Sequence, residues 1–177
     1  MTVLVRMPES LHHAIAEDVQ AWAARGRETF LFLLLTKRET SSRTLYIARS
    51  VVRLAEGEAV RQAMRTYPTE AFTRRFYGAL RAAEVLRDSI RIAAVHSHPF
   101  SNGKVAFSGI DRASFADDRG LFSDLFAVEF LGLVVDHDVS AFDGVVVDTA
   151  GFTPITGVQV VGRTVRRLLP PAEEASK

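Results

Sequence analysis

The sequence predicts a mixed α/β domain, a curved mixed sheet packed by helices on both faces. Three observations predict it. Apolar residues recur at three- and four-residue spacing over Leu11–Ala23 and again over Phe72–Leu86, the mark of amphipathic helices. Short dense runs of Leu, Ile, Val and Phe stand at Phe30–Leu35, Ser89–His96 and Val128–Val135, which reads as buried strands. The two kinds of stretch interleave, with about three helices and about six to eight strands in all. At 177 residues and 47% apolar composition, the chain suits one globular domain over residues 1–169, with a polar frayed tail at 170–177.

Taken in order, Thr2–Arg6 alternates weakly as a first strand, and Pro8 suits the first turn of a helix. Leu11, Ala14, Ile15, Val19, Trp22 and Ala23 form that helix's apolar stripe, and Gly26 its C-terminal cap. His12 and His13 read as exposed helix residues. Phe30–Leu35 is a strand, and Thr44–Leu54 pairs with it as a hairpin that carries a bulge. Ala59–Met64 reads equally as a strand edge or a short helix. Thr69 is the expected N-cap of a helix over Glu70–Leu86, with Phe72, Phe76 and Leu80 inward. Ser89–His96 is a central strand. A third helix is expected over Ser108–Phe126, with Ala113 and Phe115 among its apolar cover and Gly120 as an interruption. Strands follow at Val128–Val135, Ala141–Asp148 and Thr156–Val161, with a turn signal at Asp143-Gly144 and one helical turn over Val165–Leu169. Asp136-His137-Asp138 reads as a surface turn.

Composition removes several functions. There is no cysteine, which excludes a disulfide framework, a cysteine protease and any Cys-ligated zinc site. Net charge is +1 and no basic run exceeds two residues, so there is no electrostatic case for nucleic acid. The longest apolar run is too short to span a bilayer. The N-terminus lacks a basic region followed by an apolar core, so a cytoplasmic protein is expected.

The stretch Val95–Asp111 carries the chemistry. His96 and His98 alternate on an extended strand, so their side chains share one side. Pro99 cannot donate to a ladder and ends the strand. Asn102-Gly103 turns the chain back, and Ser108 and Asp111 are three apart at a helix start. Asp111 can then close a three-ligand set with the two histidines. Two imidazole nitrogens, one carboxylate oxygen and one open position is how catalytic zinc is held. By itself Ser108 reads as an N-cap, and Glu28 as a charge at a helix–strand junction.

The string His96-Ser97-His98-Pro99 followed by Ser108-Gly109-Ile110-Asp111 resembles the signature of the JAMM metalloproteases, also called the JAB or MPN-plus domain. That resemblance implies a JAB/MPN-like fold, one zinc ion, and cleavage of peptide or isopeptide bonds after the C-terminal tail of ubiquitin or a ubiquitin-like protein. It implies His96, His98 and Asp111 as the ligands, Glu28 as general base before an apolar strand, and Ser108 as an oxyanion donor. Two departures stand out. The loop over residues 99–107 is longer than is usual in the family, and Leu31 replaces a frequent glycine. Residues Phe100–Phe107 are a candidate flap over an extended substrate. Stand-alone bacterial domains of this kind resemble members of small conjugation operons, including antiviral ones, with E1/E2-like activating and conjugating enzymes as partners. A DNA-associated relative similar to the RadC proteins, and a catalytically silent MPN scaffold, are the alternatives.

Overall fold

Leu31, Leu33 and Leu35 are fully buried on one side of a single strand, while Phe32 is buried on the other with Phe30 and Leu34 partly covered. Two apolar layers therefore sandwich the strand over Phe30–Leu35. The computed structural model describes residues 1–62, 66–82, 90–115 and 129–171. The elements are β1 (Thr2–Pro8), α1 (Glu9–Ala23), β2 (Phe30–Glu39), β3 (Arg43–Arg53), β4 (Ala59–Arg61), β5 (Thr66–Pro68), α2 (Glu70–Ala82) and β6 (Ile90–His98). The described part of α3 (residues 109–115) follows, then β7 (Phe130–Asp136), β8 (Phe142–Asp148), β9 (Gly151–Pro154), β10 (Gly157–Val161) and β11 (Val165–Arg167).

Nine strands form one curled mixed sheet in the order β11-β10-β1-β3-β2-β6-β7-β8-β9. The pairs β1/β10, β1/β3 and β6/β7 are parallel and the rest antiparallel. One face carries α1, whose Ile15, Ala16 and Val19 pack on Val5, Leu33, Val95 and Leu133. The opposite face carries α2 and α3, where Phe72 and Phe115 join Phe32, Ala94, Phe130 and Val134. The described chain is a single mixed α/β domain, with helices on both faces. Among the described residues no helix is long and apolar enough to cross a membrane.

The expected bulge is present. Leu34 pairs with Ser50 and Leu35 with Ala48, so Arg49 is the extra residue of β3. Thr69 caps α2, its Oγ1 accepting from the Phe72 N–H at 3.4 Å. Phe76 stacks on Phe32 with centroids 4.8 Å apart, which makes it core rather than ligand contact. Gly26 takes a φ of +65° and donates to the Ala23 carbonyl, closing α1. The predicted ends of α2 beyond 82 and of α3 beyond 115, including Ala83, Leu86 and Gly120, lie outside the described residues, as does the tail from 172.

One open reading is settled and several expectations are corrected. Ala59–Arg61 is a strand and pairs with Thr66–Pro68 in a separate two-stranded sheet. Residues 165–167 extend the main sheet as β11 instead of making a helical turn, because Val165, Arg166 and Arg167 find ladder partners in Val161, Val160 and Gln159. Asp143-Gly144 lies inside β8, not in a turn. A Cβ at Gly144 would come 2.7 Å from Leu133 Cδ2, so that glycine admits close packing. Ala113 on α3 is exposed. His12 is buried, its Nε2 2.9 Å from the Val139 carbonyl, where it braces the turn after β7.

That turn is organised from within. Asp136 was expected at the surface, yet it is fully buried. Its Oδ1 accepts from the Ser140 and Ala141 N–H groups, and its Oδ2 from the Ser140 hydroxyl and the Gly103 N–H, all at 2.8–2.9 Å. These donors hold its carboxyl below the usual carboxylate range against the opposing effect of burial. Removing the acceptor leaves four donors facing a void. We expect Asp136→Ala to cost about 3 kcal/mol in urea denaturation. A loss under about 1 kcal/mol would show that the turn holds itself.

Candidate metal centre

β6 is hydrogen-bonded on both sides, to β2 and to β7, so its C-terminal end is held in register. His96 pairs across to Phe30 and Val134, and His98 to Asp136. The pleat sends both imidazoles to the face that carries α3, where ring centroids stand 5.3 Å apart. Ser97 points the other way and is fully buried. The strand ends at His98, just before Pro99, and Ser101 turns the chain by donating from its N–H and hydroxyl to the His98 carbonyl.

α3 brings the third ligand. The Asp111 N–H donates to Ser108 Oγ at 3.2 Å, and the Ser108 N–H donates to Asp111 Oδ2 at 2.7 Å. This reciprocal cap fixes Asp111 in the first turn. Its Oδ1 lies 3.0 Å from His96 Nε2 and its Oδ2 3.5 Å from His98 Nε2. One ligand atom from each residue falls within 4.8 Å of the others. The three residues that spacing singled out are therefore together in space.

The histidine–carboxylate contact is not an ordinary hydrogen bond. His96 Nε2 is buried and has no aligned hydrogen-bond partner, although Asp111 Oδ1 is 3.0 Å away. Such a buried, unsatisfied nitrogen is costly. A cation shared between imidazole lone pairs and a carboxylate oxygen removes that cost, so the donor set fits a divalent ion such as zinc. Burial disfavours the charged carboxylate, yet the neighbouring His96 and His98 rings and the Ser108 side chain outweigh it and hold the Asp111 carboxyl well below its ordinary value.

Glu28 immediately precedes Thr29 and β2. Its N–H donates to the Gln62 carbonyl at 3.0 Å, and the next residue is locked in turn. The Thr29 N–H donates to Ser97 Oγ at 3.0 Å, the Ser97 N–H to the Thr29 carbonyl at 3.2 Å, and the Thr29 hydroxyl to Asp18. Glu28 is 6% exposed, a buried acid and not the solvated one its position alone suggests. It lines a small cleft of ≈ 60 Å³ with Thr66, Tyr67, His96, Ile110, Asp111 and Ser114.

Thr66, Tyr67, Ile110 and Ser114 were not foreseen as lining residues. Ile110 had a visible signal, an isoleucine on the exposed first turn of α3 (59% exposed). Ser108, by contrast, is not on that lining. It caps α3, as its local reading predicts. The proposed flap is a fixed loop. Val105 and Phe107 are buried, and the Gly103 and Phe107 N–H groups donate to Asp136 and Asp143. Of that stretch, Phe100 stands out at 73% exposed. His13 stays exposed and away from the centre. Asp136, His137 and Asp138 are also close enough to hold an ion, but both Asp136 oxygens are already engaged.

No protein-family model matches the sequence, and no curated protein matches it. The fold is similar to the solution structure of protein DSY2949 from Desulfitobacterium hafniense, with a TM-score of 0.52 and 10% identity. The match covers 89% of this chain and 92% of that one. At that identity the likeness speaks for the fold alone.

Burial pushes the Glu28 carboxyl up to about 7, with His98 opposing the rise and Asp111 adding to it. In the unfolded chain the ordinary value of 4.5 returns. Between the two values the folded protein holds a proton that the unfolded chain has released, so stability falls as pH rises through that window. Glu28→Gln removes this penalty. In metal-stripped protein we expect it to stabilise by about 1–2 kcal/mol near pH 8, allowing for solvent screening in the cleft, and by almost nothing near pH 4. Urea denaturation at both pH values checks it; an equal effect at the two would contradict the assignment.

Proposed function

We propose that the protein is a zinc metalloprotease of the JAMM/JAB (MPN-plus) kind, an isopeptidase or peptidase that cuts after the C-terminal tail of a ubiquitin-like protein. One observation carries the reading. His96, His98 and Asp111 converge with an unaligned, buried nitrogen among them, and a buried glutamate lines the same cleft. The sheet with helices on both faces is consistent with a JAB/MPN-like fold.

In this reading His96, His98 and Asp111 hold the ion. When bound, zinc supplies Lewis acidity that polarises a carbonyl and acidifies water. Glu28 takes the proton of the attacking water at its carboxylate and returns it to the departing amine nitrogen as the C–N bond breaks. Its raised proton affinity suits both transfers. Ser108, beside Asp111 at the start of α3, would turn its hydroxyl from the cap to donate to the developing oxyanion. Tyr67 and Ile110, both exposed at the cleft, bracket an extended tail.

The substrate would be a ubiquitin-like protein, its precursor or its conjugate. The test is incubation of a ubiquitin-like fusion with the zinc-loaded protein, with and without a chelator. We expect chelator-sensitive cleavage, reduced about 100- to 10,000-fold by Glu28→Ala and about 100-fold or more by Ser108→Ala. Zinc bound by His96, His98 and Asp111 with no turnover of any such fusion would mark a silent scaffold and sink the proposal.

A further inference from the structure

Resting on the reading of His96, His98 and Asp111 as a metal site, we propose that Gly132 and Phe115 are positioning residues that set the height of the Asp111 carboxylate over His96. Gly132 lies inside β7, opposite Ala94 of β6, and on the same face of the sheet as Phe130 and Val134. Glycine weakens a strand interior by entropy and by lack of packing. Here no positive φ explains it; the left-handed glycines lie elsewhere. What explains it is Phe115. A Cβ on Gly132 would stand 2.6 Å from Phe115 Cε2 and 2.7 Å from Cε1, with Cζ closer still. The ring rests on bare backbone.

That ring is hemmed in. Phe107 meets it edge-on at 5.1 Å, Phe130 lies at 6.0 Å and the His96 ring at 6.4 Å. It is 5% exposed, and the free space it borders is a cavity of ≈ 350 Å³ shared with Phe107, Arg112 and Asp143. Phe115 follows Asp111 by four residues, one helical turn, on the same helix face. In this proposal a ring lifted off β7 carries with it the turn that bears Asp111, rather than tipping alone into that cavity. Ligand distances must hold to a few tenths of an ångström for a site to bind well. A methyl group at position 132 is larger than that tolerance.

The test reads zinc affinity of the metal-stripped protein by competition with a chromogenic chelator, which needs no substrate. We expect Gly132→Ala to weaken binding about 10- to 100-fold, the usual effect of disturbing a ligand's support. Gly144→Ala is the control. It creates a comparable clash, 2.7 Å to Leu133 Cδ2 and 3.0 Å to Ile155 Cδ1, on the α1 side of the sheet, and should bind zinc as the parent does. Phe115→Leu alone should weaken binding about tenfold. Added to Gly132→Ala, it should bring binding back to the level of Phe115→Leu alone, a non-additive pair. If Gly132→Ala does not fold, the Phe115→Leu measurement decides. Parent-like affinity in Gly132→Ala or in Phe115→Leu, or an equal loss in Gly144→Ala, would overturn the inference. Parent-like affinity in His96→Ala would instead overturn the metal site itself.

Discussion

The two-residue repeat of β6 is the constraint on which the rest depends. Its pleat places His96 and His98 on the face toward α3 and Ser97 on the face toward α1. Both halves of that alternation are used. The even positions present imidazoles to Asp111, while Ser97 Oγ accepts from the Thr29 N–H and so anchors the backbone next to Glu28. A slip by one residue would turn the imidazoles into the apolar layer under α1 and a serine toward the cleft. Pairing with β2 on one side and β7 on the other opposes that slip, because Ala93 and Val95 already fill the α1 layer completely.

The polar residues gathered at this strand end are a poor choice for stability. Glu28 is buried with a raised proton affinity, and His96 Nε2 is buried without an aligned partner. Elsewhere the same fold satisfies its interior acids thoroughly. Asp136 has four donors, and Glu129 meets Lys37 at 2.7 Å, Arg91 at 3.1 Å and the Tyr46 hydroxyl at 3.3 Å. A fold able to pair those acids yet leaving His96 Nε2 without an aligned partner is consistent with a site shaped for a ligand the protein alone does not supply.

What the sequence made legible was local. The β2 run, the β6 histidines with their terminating proline, and the Ser108/Asp111 spacing are each settled within a few residues, and all stand as read. Asp111 came out within hydrogen-bond distance of His96 because spacing on a strand and on a capped helix start fixes side-chain direction. What stayed hidden was set by distant partners. His12 is an ordinary helix position until Val139 comes to it from the far end of the chain. Asp136 reads as a turn residue until Gly103 arrives from another loop. β11 looks helical by pattern, and a sheet edge overrules it. Thr66 and Tyr67 reach the cleft on a small sheet of their own, whose pairing no short-range signal announces.

The connection between the two segments of the His96, His98 and Asp111 cluster follows the same logic. Extra length adds little closure entropy, so it is tolerated if the ends keep their places. Here the ends are held independently, His98 by the β6 ladder and Asp111 by the cap of α3. The intervening residues are then free to take on another task. Val105 and Phe107 enter the core on the α3 side, and Phe107 packs its ring against Phe115 at 5.1 Å. Asp136 and Asp143 tie down the backbone at Gly103 and Phe107. The connection thus packs against the helix that carries Asp111 while both ends of the His96, His98 and Asp111 cluster keep their places.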